Sequence, residues 1–348
     1  MRRAEAVIRA AYTACDFVIG IAASSATLYG MEIRDFGRLG RVSALTLGGG
    51  GIGNVWGPVD RMERVATVRA ALDAGVTMID VAPTYGPGEA ESVVGEALGG
   101  TVPDGVMIST KIELAGAEID SLERRIVESL PASLERLGVD RVDLYILHSQ
   151  LEPDGGPSRR TLSVRTFREI VRPTFERLVG EGLTRGWGLT GVGHPEALAE
   201  VLADDPPPAG IQCVTNALDM TGDMWIMGPD LQPDNAGTRA RAAEAGLGVM
   251  GIRAVAAGSL ADALDRDVDA DAPAARDYEA AAGFRRLAAE RGVSAAFLAH
   301  RYALSLPDVA TVVLGVKNRE ELAECLAAEA AGPLPEDDMR AIEALRLT

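Results

Sequence analysis

Short apolar runs alternate with longer segments of helical periodicity from residue 44 to the end of the chain. The apolar runs have the length of strands and contain few polar residues, which is typical of parallel strands covered by helices. The segments between them place apolar residues three and four positions apart, as amphipathic helices do. The eight predicted strands cover residues 45–47, 76–79, 106–110, 142–147, 185–189, 211–214, 247–252 and 309–314.

Helices are predicted between and after these strands. They cover residues 61–74, 90–98, 121–137, 167–179, 195–202, 238–245, 278–290, 294–304, 318–328 and 335–345, the last being an extra C-terminal helix. Eight strand–helix units predict an α/β fold of the (β/α)8 TIM-barrel type. An open doubly wound sheet is disfavoured, because the glycines at 48–51 precede Ile52, Gly53 and a predicted loop instead of a G-x-G-x-x-G turn that opens a helix.

The region before the barrel divides at Met31. Residues 31–34 and 42–45 flank a glycine-containing turn and predict an N-terminal β-hairpin. The first 30 residues resemble a signal peptide superficially, but acidic residues interrupt the pattern. We therefore expect residues 1–30 to be an extension outside the fold and residues 31–348 to form a single barrel domain.

The composition limits the classes of partner. A net charge of −17 without a basic stripe argues against binding to nucleic acid. No apolar run reaches the roughly 20 residues that a membrane span requires. Three cysteines without metal-ligand spacing indicate reduced thiols in a cytoplasmic protein. The expected partner is a small molecule, and the sequence does not indicate an oligomeric state.

Four polar residues lie at or just beyond the ends of three successive predicted strands. Asp80 and Tyr85 follow the second strand, Lys111 ends the third, and His148 ends the fourth. The carboxyl ends of barrel strands converge on one face, so these side chains are expected to share one pocket. An ammonium lowers the pKa of a neighbouring tyrosine, a carboxylate keeps that ammonium charged, and a histidine orients a carbonyl oxygen. Together they suit proton delivery to a carbonyl group.

The chain resembles the aldo-keto reductases from about Met31 to its C-terminus. The motifs that carry the resemblance surround the four polar residues, precede the fifth strand and follow the eighth, at residues 79–86, 109–111, 144–149, 180–185 and 314–318. The resemblance implies a barrel that binds a nicotinamide cofactor across its mouth and transfers hydride to or from an aldehyde, ketone or sugar. It makes Tyr85 the general acid/base, tuned by Lys111 and Asp80, with His148 orienting the carbonyl group.

The same resemblance implies a set of cofactor-binding residues. They are Gly49, Thr190, Gln212, Arg253, Gly315, Val316, Lys317, Asn318 and Glu321. Lys317 matches the family's cation beside the adenosine 2′-phosphate, and Arg319 and a helix N-terminus add positive potential. NADP(H) is therefore favoured over NAD(H).

Several of these positions depart from the family's pattern. Gln212, predicted to end the sixth strand, matches a glutamine that contacts the nicotinamide amide. Thr190 and Gly191 replace a Ser-Asn pair, Ile252 lies near the place of a stacking aromatic ring, and Cys325 stands where an adenine-contacting asparagine is common. These departures put one amide contact and the ring stack in question.

Two other classes of function stay open. A non-catalytic barrel could bind nicotinamide cofactor as a regulatory subunit, although the complete set of four polar residues argues against it. A metal-dependent barrel hydrolase would need a cluster of histidine and carboxylate ligands. His148, His194 and His300 are the three histidines, and His300 lies within a helical pattern. The sequence therefore predicts no metal site.

Overall fold

The computed structural model describes residues 30–156, 160–264, 266–269 and 271–347. Most of the predicted N-terminal extension lies outside the described residues. In chain order, strands β1 to β12 are Ile33–Asp35, Arg41–Ser43, Leu45–Gly48, Met78–Asp80, Met107–Ile112, Leu144–Leu147, Leu151–Glu152, Leu162–Ser163, Trp187–Thr190, Gly210–Val214, Gly248–Ile252 and Thr311–Leu314.

Eight of these strands close into a parallel barrel. Around the barrel they follow the order β10, β11, β12, β3, β4, β5, β6 and β9, and β9 pairs with β10 to close it. Their positions match the eight predicted strands, and the predicted barrel is confirmed. Apolar residues that are buried on both sides of the strands explain why the sequence showed continuous apolar runs instead of alternation.

The helices lie between the strands. In chain order, α1 to α13 are Gly49–Ile52, Arg61–Asp73, Glu89–Leu98, Leu122–Leu137, Val164–Thr166, Arg172–Gly180, Pro195–Leu202, Asn235–Glu244, Pro273–Ala280, Ala282–Glu290, Ala295–Leu304, Arg319–Ala330 and Glu336–Ala344. A π-helical turn, Phe167–Val171, joins α5 to α6. The extra C-terminal helix is present as α13.

Three local predictions need correction. The glycines after β3 form the single helical turn α1 before the predicted loop begins. The predicted helix over residues 278–290 is two helices, α9 and α10, which meet at Ala281. The segment over residues 149–164, where no strand was predicted, contains the short parallel pair β7 and β8. Loop and glycine-rich segments were misread because tertiary contacts, and not local periodicity, fix their conformation.

The β-hairpin closes the amino-terminal end of the barrel. Strands β1 and β2 pair antiparallel, as predicted. Phe36 in the turn is fully buried in an apolar cluster with Met78, Leu144 and Met250 at the starts or inner faces of barrel strands. A Cβ at Gly248 would come within 2.6 Å of the Phe36 ring, so this glycine leaves room for it. The hairpin does not cover the opposite, carboxyl-terminal end of the barrel, where a functional site can lie.

Among the described residues, no helix is both long enough and apolar enough to cross a membrane.

Candidate active site at the carboxyl end of the barrel

A buried ion pair lies at the carboxyl end of β4 and β5. Lys111 Nζ lies 2.7 Å from Asp80 Oδ2, and the two side chains are 0% and 3% exposed. Lys111 also donates to the carbonyl oxygen of Val81 at 2.9 Å. Desolvation acts to lower the pKa of Lys111, but the charge of Asp80 and its neighbours reverses this, so the net pKa is raised. The lysine is therefore held as an ammonium ion.

Asp80 receives two further hydrogen bonds. Ser109 Oγ donates to Oδ1 at 2.6 Å, and Gln212 Nε2 donates to Oδ2 at 2.8 Å. Ser109 stands opposite Asp80 in the register between β4 and β5. With Lys111, these bonds give both carboxylate oxygens a partner, which is what a buried charge requires.

Tyr85 lies in the loop between β4 and α3, beside the ion pair. Lys111 Nζ is 4.7 Å from the centre of its ring. Burial raises the pKa of Tyr85, the charge of Lys111 lowers it in part, and Asp80 raises it, so the net pKa is above its usual value. The lowered pKa that the sequence predicted from the ammonium alone is therefore wrong, because burial outweighs the charge of Lys111. The phenol is protonated at neutral pH and can donate its proton.

His148 follows β6 and meets Tyr85 edge to face. The two ring centres are 5.8 Å apart at an interplanar angle of 87°. Burial and the charge of Lys111 lower the pKa of His148 to about 3. The imidazole is therefore neutral across the physiological range, with one N–H available for donation.

A cavity of about 370 Å³ opens beside His148. Its lining residues come from the loops after β5, β6 and β7, from the end of β9 and from the turn after β10. They are Glu113, Ala115, Gly116, His148, Ser149, Gln150, Arg160, Thr190, Asp223, Met224 and Ile226. This volume lies in the range of small-molecule sites. The sequence did not identify most of these residues, because they lie in loops that show no periodic pattern.

Two lining residues carry buried polar atoms without a partner. Thr190 Oγ1 and Gln150 Oε1 make no hydrogen bond within the described part of the chain. Such atoms carry a free-energy cost unless a ligand or water satisfies them. Thr190, at the end of β9, is also a predicted nicotinamide contact, so its free hydroxyl fits a cofactor amide.

Gln212 does not end its strand as predicted. It is the middle residue of β10 and is 3% exposed. Its side chain crosses the barrel to Asp80, so its amide nitrogen is already engaged. Its carbonyl oxygen accepts no hydrogen bond from the described residues and is the atom that remains for a cofactor.

The glycine-rich turn and the end of β12 lie side by side. A Cβ at Gly51 would lie 2.0 Å from the carbonyl oxygen of Val316, and one at Gly49 would lie 3.0 Å from the Tyr85 ring. Close backbone packing therefore requires glycine at position 51, and a side chain at position 49 would press on the Tyr85 ring. The predicted cofactor residues Gly315 and Val316 thus lie against the same glycine-rich turn from which Gly49 contacts Tyr85.

Lys317, Asn318 and Glu321 surround the start of α12. Asn318 caps the helix by accepting the N–H of Glu321 at 2.9 Å. Lys317 Nζ lies 3.4 Å from Glu321 Oε1. The guanidinium of Arg319 forms an ion pair with Glu63, and Nη2 lies 2.8 Å from Glu63 Oε2. Both predicted sources of positive side-chain charge are thus paired with carboxylates, a feature that the sequence argument did not include.

Arg253 and Cys325 differ in what their side chains contact. Arg253, just after β11, pairs with Asp223 at 2.9 Å, and its buried Nε makes no hydrogen bond among the described residues. Cys325 is 2% exposed, and its Sγ lies 3.6 Å from His300 Nε2. The Cys325 side chain therefore contacts the interior of the protein, next to α11.

Within the described residues, no group of three or more histidine, cysteine, aspartate and glutamate side chains is arranged to hold a metal ion.

Comparison with known sequences assigns the chain to a family. The sequence pattern of the aldo/keto reductase family matches residues 44–347. The chain belongs to the aldo/keto reductase family, which is a family of oxidoreductases.

Similar proteins differ in what they do. The chain is 27% identical to L-galactose dehydrogenase of Arabidopsis thaliana over 305 residues, covering 86% of this chain and 88% of that protein. It is 28% identical over 335 residues to a probable voltage-gated potassium channel subunit beta of Oryza sativa subsp. japonica, covering 87% and 93%.

Solved structures share the fold. An aldo-keto reductase from Klebsiella pneumoniae, crystallised in complex with NADPH, superposes with a TM-score of 0.66 at 24% identity, covering 91% of this chain and 96% of that one. At this identity the likeness establishes the barrel alone.

Proposed function

We propose that this protein is a nicotinamide-dependent oxidoreductase that interconverts a carbonyl group and an alcohol, with Tyr85 as its general acid/base. The observation that carries the proposal is the contact of the buried Asp80–Lys111 ion pair with Tyr85, next to a neutral His148 and a cavity. Packing alone does not explain why an ammonium ion is buried beside a phenol. The ammonium stabilises the tyrosinate that proton transfer leaves behind.

Each residue has a separate task in this mechanism. In the reduction, a bound reduced nicotinamide would supply the hydride that the carbonyl carbon receives. Tyr85 gives its proton to the carbonyl oxygen, and the resulting phenolate is stabilised by the Lys111 ammonium. Asp80 keeps Lys111 charged and in place through the 2.7 Å contact. In the oxidation, the tyrosinate takes the proton of the alcohol.

His148 orients the carbonyl group. Its pKa of about 3 keeps the ring neutral. A neutral N–H donates a hydrogen bond to the substrate oxygen without competing with Tyr85 for the role of acid. The edge-to-face contact fixes the two rings relative to each other.

The cofactor is proposed to lie against Thr190, Gln212, Gly49, Gly315 and Val316. The unpartnered Thr190 hydroxyl and the open Gln212 carbonyl oxygen suit a carboxamide, which both donates and accepts. Arg253, Asn318 and Glu321 complete the proposed contacts. Lys317, next to the first turn of α12, supports NADP(H) over NAD(H).

The substrate is proposed to be a small aldehyde, ketone or sugar. The cavity of about 370 Å³ is lined by the apolar residues Met224 and Ile226 as well as by the polar residues Gln150 and Glu113. The unpartnered Gln150 oxygen suits a substrate hydroxyl. The similarity to L-galactose dehydrogenase supports including sugars in this class.

The test is a screen of carbonyl compounds, alcohols and sugars with NADPH, NADH and their oxidised forms. We expect turnover of at least one class of substrate. Tyr85→Phe should lower kcat by about 10²–10⁴-fold, because it removes the proton donor. The dissociation constant for NADPH should stay within a few-fold, because the ring remains. A Tyr85→Phe variant with nearly unchanged kcat would reject Tyr85 as the acid.

A second candidate is a nicotinamide-binding regulatory barrel. It is favoured by the similarity to a probable potassium channel subunit beta over most of both chains. Purified protein that binds NADPH tightly but turns over none of the screened compounds would support this candidate over the enzyme.

A cytoplasmic location is also our proposal. It is supported by Cys213 and Cys325, which are buried and not joined in disulfides. Localisation of the tagged full chain, compared with a secreted marker, would test it.

A further inference from the structure

The Gln212 amide joins opposite walls of the barrel. Gln212 lies on β10 and Asp80 on β4, and four steps separate these strands in either direction around the eight-stranded barrel. The 2.8 Å bond from Gln212 Nε2 to Asp80 Oδ2 therefore spans the barrel interior. Both residues are at most 3% exposed. The bond thus connects two strands that do not pair with each other in the barrel sheet.

The chemistry of the two groups fixes the orientation of the amide. An ionised carboxylate only accepts hydrogen bonds, so the NH₂ group of Gln212 must face Asp80. The same Asp80 oxygen accepts the Lys111 ammonium at 2.7 Å. The carbonyl oxygen of Gln212 consequently points away from Asp80. It can accept a hydrogen bond from a cofactor without loss of the bond to the carboxylate.

We propose that Gln212 is a positioning residue that couples the nicotinamide site to the Asp80–Lys111 pair. This inference rests on the proposed function. Gln212 Nε2 and Lys111 Nζ both donate hydrogen bonds to Asp80 Oδ2. Gln212 Oε1 accepts a hydrogen bond from the cofactor amide. Binding of the cofactor thereby fixes the same side chain that holds the carboxylate. Gln212 acts through Asp80 and Lys111 on Tyr85 and does not itself exchange a proton.

The expected effect on Tyr85 has a definite sign. Asp80 raises the pKa of Tyr85, whereas Lys111 lowers it. Loss of the Gln212 donor leaves more of the carboxylate charge unshared and draws Lys111 toward Asp80. Both changes raise the pKa of Tyr85 further. His148, which follows β6 and contacts the Tyr85 ring, is a further titratable group here; it is neutral and adds no charge.

Three variants separate the two functions of Gln212. Gln212→Met keeps the length of the side chain and removes both polar atoms. Ser109→Ala removes the donor to the other oxygen of Asp80 and leaves the cofactor side intact. Thr190→Val removes the unpartnered hydroxyl that stands opposite Gln212 in the β9–β10 register, and it does not touch Asp80. The second and third variants are matched controls for the first.

The measurements are the pH profile of kcat/KM and the dissociation constant for NADPH, read from protein fluorescence. The Tyr85 ionisation limits reduction at high pH and oxidation at low pH, so one midpoint is measurable in either direction. Gln212→Met should move this midpoint upward by about 0.5 to 1 unit and raise the dissociation constant several-fold. Ser109→Ala should move only the midpoint, and Thr190→Val should raise only the dissociation constant.

Several results would overturn the inference. If Gln212→Met weakens NADPH binding but leaves the midpoint in place, Gln212 serves the cofactor alone. If Gln212→Met does not fold, Gln212→Glu keeps the shape of the side chain. Once ionised, it places a second negative charge beside Asp80, so it must also move the midpoint upward. If the wild type binds NADPH but has no turnover, the proposed function fails together with this inference. If the wild type turns over substrate and Gln212→Met leaves the midpoint in place, this inference alone fails.

Discussion

Lys317, two residues before the start of α12, forms an ion pair with Glu321 in the first turn of that helix. The ammonium nitrogen lies 3.4 Å from Glu321 Oε1, and Glu321 Oε2 accepts the backbone N–H of Lys317 at 2.8 Å. A 2′-phosphate that binds Lys317 must therefore approach a carboxylate as well. A ribose 2′-hydroxyl, by contrast, can donate to that carboxylate. The pair thus limits the preference for NADP(H) that Lys317 produces.

Lys317→Ala should raise the KM for NADPH strongly and the KM for NADH little. A charge-assisted contact to the 2′-phosphate contributes about 1.5–3 kcal/mol, or about ten- to a hundred-fold in affinity. The net charge of −17 offers no long-range attraction to either cofactor, so the local contact decides. The measurement is steady-state kinetics with both cofactors at fixed ionic strength.

Glu321→Gln is the matched variant at the other end of the pair. It should lower the KM for NADPH, because it removes a negative charge beside the phosphate and leaves Lys317 in place. Equal losses for both cofactors in Lys317→Ala, or a wild type that already prefers NADH, would show that Lys317 does not select the cofactor.

The chain before Met31 is predicted to be dispensable. The family pattern begins at residue 44, and the hairpin that closes the barrel begins at Ile33. A protein that starts at Met31 should keep the thermal midpoint and the activity of the full chain. Differential scanning fluorimetry and the turnover assay check this. A loss of several degrees, or of most of the activity, would show that the preceding residues support the fold.

The positions of Asp80, Lys111 and His148 could be predicted because strand ends are a local property of the sequence. An apolar run identifies the strand, and closure of the barrel brings successive ends together. The bond between Gln212 and Asp80 could not be predicted in this way. It joins residues 132 positions apart on opposite strands, and only the closed barrel brings them into contact.

Charges and loops set the other limit on prediction. The sequence shows Lys317 and Arg319, but their pairing with Glu321 and Glu63 depends on side-chain directions. The direction of the Tyr85 pKa depends on burial, which outweighs the ammonium. Cavity residues such as Gln150 lie in segments without periodicity.

The pH dependence should distinguish the two aromatic groups of the site. The pKa of Tyr85 is raised above its usual value of about 10, so the proton donor is present from acidic to mildly alkaline pH. The pKa of His148 is lowered to about 3, so its ring does not change charge near pH 6.5. Reduction should therefore show no midpoint between pH 5.5 and 8, whereas oxidation should rise with pH.

The measurement is kcat against pH at saturating cofactor in both directions. His148→Asn keeps a hydrogen-bond donor and should lower activity without changing the shape of the profile. A midpoint near pH 6.5 in the wild type that disappears in His148→Asn would contradict the assignment of a neutral imidazole.

Glu91 on α3 is a carboxylate with no exposed surface. Thr110, next to Lys111, donates to Glu91 Oε1 at 2.6 Å, and Arg136 from α4 donates to Oε2 at 2.6 Å. Glu91→Ala leaves the Thr110 hydroxyl and the guanidinium without this partner and opens a cavity. Breaking a buried pair from one side costs about 3–5 kcal/mol. We expect Glu91→Ala to lower the free energy of unfolding by about 3 kcal/mol, because Arg136 is partly exposed and can be hydrated.

Glu96 on the same helix is the matched control, since it is half exposed and pairs with Arg61 at 2.8 Å. Glu96→Ala should cost less than about 1 kcal/mol. Urea denaturation of both variants and the wild type gives the comparison, and similar losses at the two positions would contradict a structural role for the buried Glu91 network.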